Sequence, residues 1–443
     1  MIQSAQLFGH YLYTFRQLPI NEERGRTVNR KTATRFKRIT AVLSSIFLAS
    51  AAFAGTGLTA NASATSITRI SGSTRYETMA MVSQTAFPSA ASKAAVVASG
   101  SSFPDALAAS SLAGHLNAPI LLTDPKTLSN ATANELDRLD ADTIYIIGGT
   151  NAVSNNAEKA IQASRPSATI RRLAGNTRFD TAYQIYSELT KLGAESKTAI
   201  ISTGANFADA LSASPYSYMQ SAPFFLSSQS GLDEESLAAL KDFQSAIIVG
   251  GTNAVPSSVE QQLRSIGVAT SRIQGTTRYE TSLEIGMFTL NNLSLNPSSV
   301  VYATGANFPD ALSGSALAGI NKTVLLLAQN ASSPTVNASS MLPNVGSVYV
   351  LGGQNAIGPA TFNAISSSFG LSDREYVPQP TPNPQPKPDN PQPKPNDPVY
   401  GTHKAGEFCK KADLNKTDHD ARNGKLIVCK VASGDNKPRW HYA

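Results

Sequence analysis

Histidine and cysteine are scarce in this chain, and their scarcity removes whole classes of chemistry. Its 443 residues include five His, two Cys and one Trp, and aromatics make up 7%. His10 lies near the start and His403, His419 and His441 near the end, which leaves only His115 in the long middle stretch. A solitary His late in a helical pattern serves structure more often than proton transfer. Both cysteines, Cys409 and Cys429, sit in the last segment. The middle therefore has no thiol nucleophile and no C-x-x-C metal half-site. G-x-S-x-G, H-E-x-x-H and G-x-x-x-x-G-K-[ST] are missing too. No apolar run reaches the ~20 residues that a membrane span needs. On these grounds the sequence predicts no catalytic residue, no metal, no cofactor and no enzymatic activity.

A charge imbalance is also lacking once position is considered. The formal net charge is +6, but the residues up to Ala64 hold eight Lys/Arg against two Asp/Glu, which accounts for all of it. Residues 65–376 carry 18 basic and 22 acidic side chains, and those from Val399 onward carry nine and five. The basicity belongs to a targeting segment and a small tail, which speaks against nucleic acid as partner. Residues 30–64 read as a signal peptide. Arg30, Lys31, Arg35, Lys37 and Arg38 precede an apolar run from Ile39 to Ala54, and Ala62-Ser63-Ala64 is a small-x-small cleavage signal, with Ala54 and Ala62 as earlier alternatives. Residues 1–29 fit no signal architecture except as an extended n-region, and the expected translation start is near Val28. The mature chain is expected at the cell surface, without a membrane span. An even cysteine pair in an exported chain predicts the disulfide Cys409–Cys429.

What is present is repetition. The first signal is Ile70–Thr78 (I-S-G-S-T-R-Y-E-T), Leu173–Thr181 (L-A-G-N-T-R-F-D-T) and Ile273–Thr281 (I-Q-G-T-T-R-Y-E-T). The second opens at Gly100, Gly204 and Gly305 and reads G-x-x-F-x-D-A-L. The third is G-G-x-N-A-[VI] at Gly148-Gly149, Gly250-Gly251 and Gly352-Gly353. Each recurs at intervals of about 100 to 104 residues, which marks internal duplication. The predicted units are 65–166, 167–268 and 269–376, followed by a Pro-rich extended linker, 377–398, and a small Cys-paired module, 399–443.

Within the first unit, Thr74 and Glu77 form the pattern of a capping box for a helix from Arg75 to Thr85. Ala94–Ser99, Pro119–Thr123 and Thr143–Ile147 are short apolar runs that predict buried strands. Between them lie predicted helices from Pro104 towards Leu116 and from Ser129 to Leu139, and another starts at Ser154. Strands alternating with helices predict an α/β fold with mainly parallel sheets.

The recurring side chains are the candidate functional groups. Asp105, Asp209 and Asp310 fall in a first helical turn, where a carboxylate complements the helix dipole. Phe103, Phe207 and Phe308 are expected to pin their loops to the core, and Gly72, Gly175 and Gly275 to form turns. Arg75, Arg178 and Arg278 oppose the dipole, so each needs a partner. Either it meets a carboxylate of its own or a neighbouring repeat, or it offers paired donors to an external phosphate or carboxylate.

These motifs resemble the cell-wall-binding repeat 2 family, modules of exported Gram-positive proteins. The resemblance covers about Thr65 to Phe369 and implies three Toprim-like α/β units around a pseudo-threefold axis, binding anionic wall polymers or a peptidoglycan-associated polysaccharide. The family's apolar triplet corresponds to Ile120-Leu121-Leu122 and Leu325-Leu326-Leu327, whereas the second copy has Phe224-Phe225-Leu226. By this resemblance Arg75, Arg178 and Arg278 are the polymer-binding candidates. The tail is similar to short Cys-paired modules that end exported actinobacterial proteins. The reading is a wall-attachment protein. Its rivals are a wall-active hydrolase or amidase modifier, and a surface-layer or adhesive component.

Overall fold

The fold was analysed in a computed structural model, which describes residues 64–89, 92–371 and parts of 408–442. Residues 30–63 of the proposed signal peptide and the Pro-rich linker lie outside the described residues.

The first unit runs β1 (Ser66–Ile70), α1 (Arg75–Ala86), β2 (Ala94–Ser99), a 3-10 turn (Ala106–Ala108), α2 (Ala109–His115), β3 (Ile120–Thr123), α3 (Asn130–Leu139), β4 (Thr143–Ile147) and α4 (Asn155–Ser164). The second runs β5 (Thr169–Leu173), α5 (Arg178–Lys191), β6 (Thr198–Thr203), α6 (Ala208–Gln220), β7 (Phe224–Ser227), α7 (Glu234–Leu240), β8 (Ser245–Val249) and α8 (Ser257–Ser265). The third runs β9 (Ala269–Ile273), α9 (Arg278–Asn292), β10 (Ser299–Thr304), α10 (Pro309–Ile320), β11 (Leu325–Ala328), a 3-10 stretch (Pro334–Met341), β12 (Ser347–Leu351) and α11 (Pro359–Ser368).

Local chemistry sets these boundaries. Thr74 accepts from the Glu77 amide while Glu77 reaches back to the Thr74 amide, and Thr177 and Asp180 repeat the reciprocal pair. Ser129 and Ser154 cap α3 and α4 in the same way through their hydroxyls. The helix predicted from Pro104 starts two residues later and opens with a 3-10 turn. Central strands such as Ala94–Ser99 are buried along their whole length, as a parallel sheet covered on both faces requires. The Phe-rich triplet of the second copy makes the same strand as its counterparts, and Phe224, Phe225 and Leu226 are all buried.

The sheets do not follow the sequence repeats. Their orders are β3-β2-β4-β5, β7-β6-β8-β9 and β11-β10-β12-β1, and every pairing is parallel. The strand that opens each repeat thus completes the sheet of the repeat before it. For β1 that sheet is the third one, with Ser66 opposite Ser347 and Ile70 opposite Leu351. The first strand of the body therefore closes a ring of three sheets.

Helices α2, α6 and α10 pack pairwise on one another inside this ring. Their approach requires glycine. A Cβ on Gly114 would lie 1.9 Å from the Tyr218 carbonyl oxygen, and one on Gly319 would lie 2.3 Å from the Tyr218 ring. Tyr218 donates its hydroxyl to the Ala118 carbonyl at 3.1 Å, which ties the second unit to the first. His115 Nε2 lies 3.2 Å from the Leu192 carbonyl, a structural contact between the same units.

The C-terminal module is an antiparallel sheet of β13 (Thr417–His419), β14 (Leu426–Lys430) and β15 (Arg439–Tyr442), with β14 in the centre. Cys409 and Cys429 are bonded across a separation of 20 residues. Ile427, Cys429 and Trp440 form its small core.

Candidate functional site

The three recurring signals meet where one repeat joins the next. At the junction of the second and third units a cleft of about 610 Å³ is lined by Asn206 and Asp209, by Gly251 to Ala254, and by Gln274 to Arg278. The first group belongs to the F-x-D-A-L loop, the second to the G-G turn, and the third to the G-x-T-R turn of the following repeat.

Each part of the lining is held from behind. The amides of Gly72, Gly175 and Gly275 donate to the buried hydroxyls of Thr78, Thr181 and Thr281 at 3.0, 3.1 and 3.0 Å. This explains why each G-x-T-R motif ends in Thr. The first glycine of each G-G turn has positive φ: 98° at Gly148, 101° at Gly250 and 92° at Gly352. A Cβ there would come within 2.7, 2.5 and 2.4 Å of a carboxylate oxygen of Asp105, Asp209 and Asp310 respectively. Only glycine satisfies both constraints. The Asp side chains therefore pack under the turns and are only partly exposed. Burial pushes the Asp310 carboxyl up to about 6 while Arg75 pulls it down. Burial likewise raises Asp209, opposed by Arg278.

The motif arginines each donate to a backbone carbonyl: Arg75 to Gly100 at 2.5 Å, Arg278 to Gly305 at 2.7 Å, and Arg178 to Gly204. Among the described residues none of the three is ion-paired with a carboxylate. Arg178 lies over the Phe103 ring at 5.9 Å and Arg278 over Phe207 at 5.7 Å, so each reaches across to the preceding repeat. The three phenylalanines pack on one another. Their ring centroids are 5.4 Å apart for Phe103–Phe207, 6.1 Å for Phe103–Phe308 and 6.1 Å for Phe207–Phe308. They pin the three repeats to each other as well as each loop to its own core.

Sequence reasoning missed a second set of arginines. Arg69, Arg172 and Arg272, on β1, β5 and β9, donate to the carbonyls of Gly352, Gly148 and Gly250 at 2.8, 2.7 and 2.8 Å. They clamp the G-G turns from the strand that crosses over. Arg172 and Arg272 also pair with Glu158 and Glu260, both at 2.9 Å, whereas Arg69 lies 4.7 Å over the Phe362 ring. Their threefold recurrence three residues before Gly72, Gly175 and Gly275 (R-I-S-G, R-L-A-G, R-I-Q-G) was the available signal.

The cleft offers hydroxyl, amide and guanidinium groups beside one carboxylate, and Asp209 and Arg278 are the charged groups in its lining. Such a surface suits hydrogen bonding to a polar, charged polymer. Among the described residues no group of three or more His, Cys, Asp or Glu side chains is arranged to hold a metal, and no helix is long and apolar enough to cross a membrane.

The model of the family described as cell wall binding domain 2 (CWB2) matches residues 69–158, 172–260 and 272–362. The chain belongs to the CWB2 family. It is a secreted, cell-wall-associated protein of Gram-positive type built on three CWB2 repeats. It is 33% identical over 288 residues to the N-acetylmuramoyl-L-alanine amidase LytC of Bacillus subtilis, covering 65% of this chain and 54% of the amidase. It is 30% identical over 261 residues to the amidase enhancer of the same organism, covering 59% of this chain and 34% of the enhancer. The chain thus spans about half or less of these curated relatives. Two solved structures, Cwp6 and Cwp8 from Clostridium difficile, share the fold, each with a TM-score of 0.62 and 24% identity. They cover 69% and 77% of this chain, and 48% and 56% of their own.

These relatives correct one expectation. The sequence predicted no enzymatic role, from the scarcity of His and Cys and the missing motifs. Two proteins at least 30% identical to this chain over more than 260 residues are an amidase and an amidase enhancer. A repeat region poor in nucleophiles therefore does not set this chain apart from wall-hydrolysing systems, because its composition reports on the repeats alone.

Proposed function

We propose that the protein attaches non-covalently to anionic polymers of the cell wall through the clefts between its CWB2 repeats, and that this attachment serves amidase-type wall hydrolysis. The observation that carries the reading is the convergence of all three repeat signals on one polar cleft. Residues as far apart as Asn206 and Arg278 supply its walls. A glycan lying in it would meet the Thr276 and Thr277 hydroxyls and the Asn253 amide. The Arg278 donors not used by Gly305 would take a phosphate or carboxylate. Three such junctions in one body would raise residence on a repeating polymer without any tight single site. The body is slightly acidic, so attraction rests on these local groups rather than on net charge.

The link to hydrolysis rests on the amidase and amidase-enhancer relatives. Two assays test the reading. Binding of the full chain to purified walls is measured before and after chemical removal of their anionic polymers, and the expected result is a large loss on stripped walls. Equal binding to both would refute the polymer reading. Peptide release from peptidoglycan is then followed with the chain alone and with a wall amidase added. Release in neither case above the control would remove the link to hydrolysis.

A further inference from the structure

The cleft between the second and third units lies at the carboxyl ends of three adjacent parallel strands. Asn206 and Asp209 follow β6, Gly251 to Ala254 follow β8, and Gln274 to Arg278 follow β9. All of these residues are described. Two kinds of polar group in this lining find no partner among the described residues. The backbone amides of Gly251, Thr252 and Asn253 meet no acceptor, and the turns that start at Gly149 and Gly353 repeat the pattern. The carboxylates of Asp105, Asp209 and Asp310 accept no hydrogen bond and form no ion pair.

A carboxylate this enclosed normally takes donors from its own protein in exchange for lost water. Asp209 stands in the first turn of α6 yet makes no capping hydrogen bond. Burial raises its carboxyl and that of Asp310, against the pull of Arg278 and Arg75. A phosphate or carboxylate alone has no use for such a group, because it brings acceptors and a like charge. A vicinal pair of sugar hydroxyls brings two donors, which the two carboxylate oxygens can accept.

Resting on the polymer reading above, we propose that each motif Asp accepts the hydroxyls of a sugar, while the G-G turn amides and the motif Arg hold an anionic substituent of the same unit. Arg278, close enough to Asp209 to act on its charge, offsets the repulsion between the two anions. The recognised unit is therefore an acidic or phosphate-bearing sugar with a vicinal diol. The Asp selects it against poly(glycerol phosphate), whose repeating unit has no such diol.

The test uses the full chain and purified walls above neutral pH, where Asp209 and Asp310 are ionised. Periodate followed by borohydride cleaves vicinal diols in the wall polymers and leaves phosphates and carboxylates in place. Binding is measured on untreated, periodate-treated and polymer-stripped walls, for the parent and for the double variant Asp209→Asn, Asp310→Asn. The expected Kd of the parent on periodate-treated walls is raised about tenfold, the size of one charge-assisted hydrogen bond. The variant should show a similar loss on untreated walls and no further loss on treated ones. Asn keeps the shape of Asp and removes a buried charge, and far-ultraviolet circular dichroism checks that the body stays folded. Unchanged binding of the parent after periodate would overturn the proposal whatever the variant does. The polymer reading would survive that result if stripped walls still lost binding, whereas equal binding to stripped walls would remove both. A folded variant that binds untreated walls like the parent, or loses a further tenfold on treated ones, would also overturn the proposal.

Discussion

In the repeat body, strand Ser66–Ile70 is fixed by a neighbour 281 residues away, with Ser66 bonded to Ser347 through their hydroxyls. In the C-terminal module the stabilising link spans 20 residues and is covalent. The body has enough apolar surface to bury that a distant strand is held by packing and backbone pairing alone. The module, whose core is Ile427, Cys429 and Trp440, does not. Long-range closure and a short covalent staple are therefore alternative answers set by the size of the core.

The strongest way to break this comparison is to remove β1. Deleting residues 64–71 leaves β12 as an exposed edge and unclamps the Gly352 turn, so the body should lose more than ~4 kcal/mol of stability. Trp440 emission should not change. The loss is read from denaturant unfolding followed by far-ultraviolet circular dichroism. A body that unfolds like the parent would show that ring closure contributes little.

Reducing Cys409–Cys429 is the converse. Opening a loop of this length should cost the module about 3 kcal/mol and shift Trp440 emission to that of exposed indole, while the body unfolds at its usual denaturant concentration. Phe207→Ala sharpens the body side of the contrast. Loss of one ring from the trio should cost about 2 kcal/mol and weaken the contact between repeats rather than any one sheet. The module should again be silent.

The smallest expected effect concerns pH. Asp310 has a folded-state value of about 6, above that of an ordinary carboxyl. Folding therefore carries no penalty at this group when it is protonated in both states, and a penalty that grows as pH rises from about 4 through about 6. Allowing for partial exposure, the body should lose roughly 1 kcal/mol across that window. Asp310→Asn, compared with the parent by unfolding at pH 4 and pH 7, should lack this part of the pH dependence.

Much of the body was legible from its sequence, because its boundaries are local. Thr74 with Glu77, and the caps at Ser129 and Ser154, are visible within four residues of one another, and Ala94–Ser99 and Thr143–Ile147 emerged with the predicted limits. What was not legible depends on distance along the chain. Strand Ser66–Ile70 is short, half polar and interrupted by Arg69, and its reason for being a strand is a partner in the third repeat. The mutual packing of Phe103, Phe207 and Phe308 is likewise invisible locally. The recurrence of the motifs singled out Asp209, Gly251 and Arg278, which line the cleft. It did not show that one cleft draws on two successive repeats, nor that each motif arginine uses a donor on a glycine carbonyl.

The most direct test of the junction cleft as the polymer site is amide hydrogen exchange on the full chain, with and without soluble anionic wall polymer. The account predicts slowed exchange at residues 251–254 and 274–278, and at their counterparts in the other two junctions. Protection confined to the outward faces of the helices, with these turns exchanging as fast as in the free protein, would contradict it.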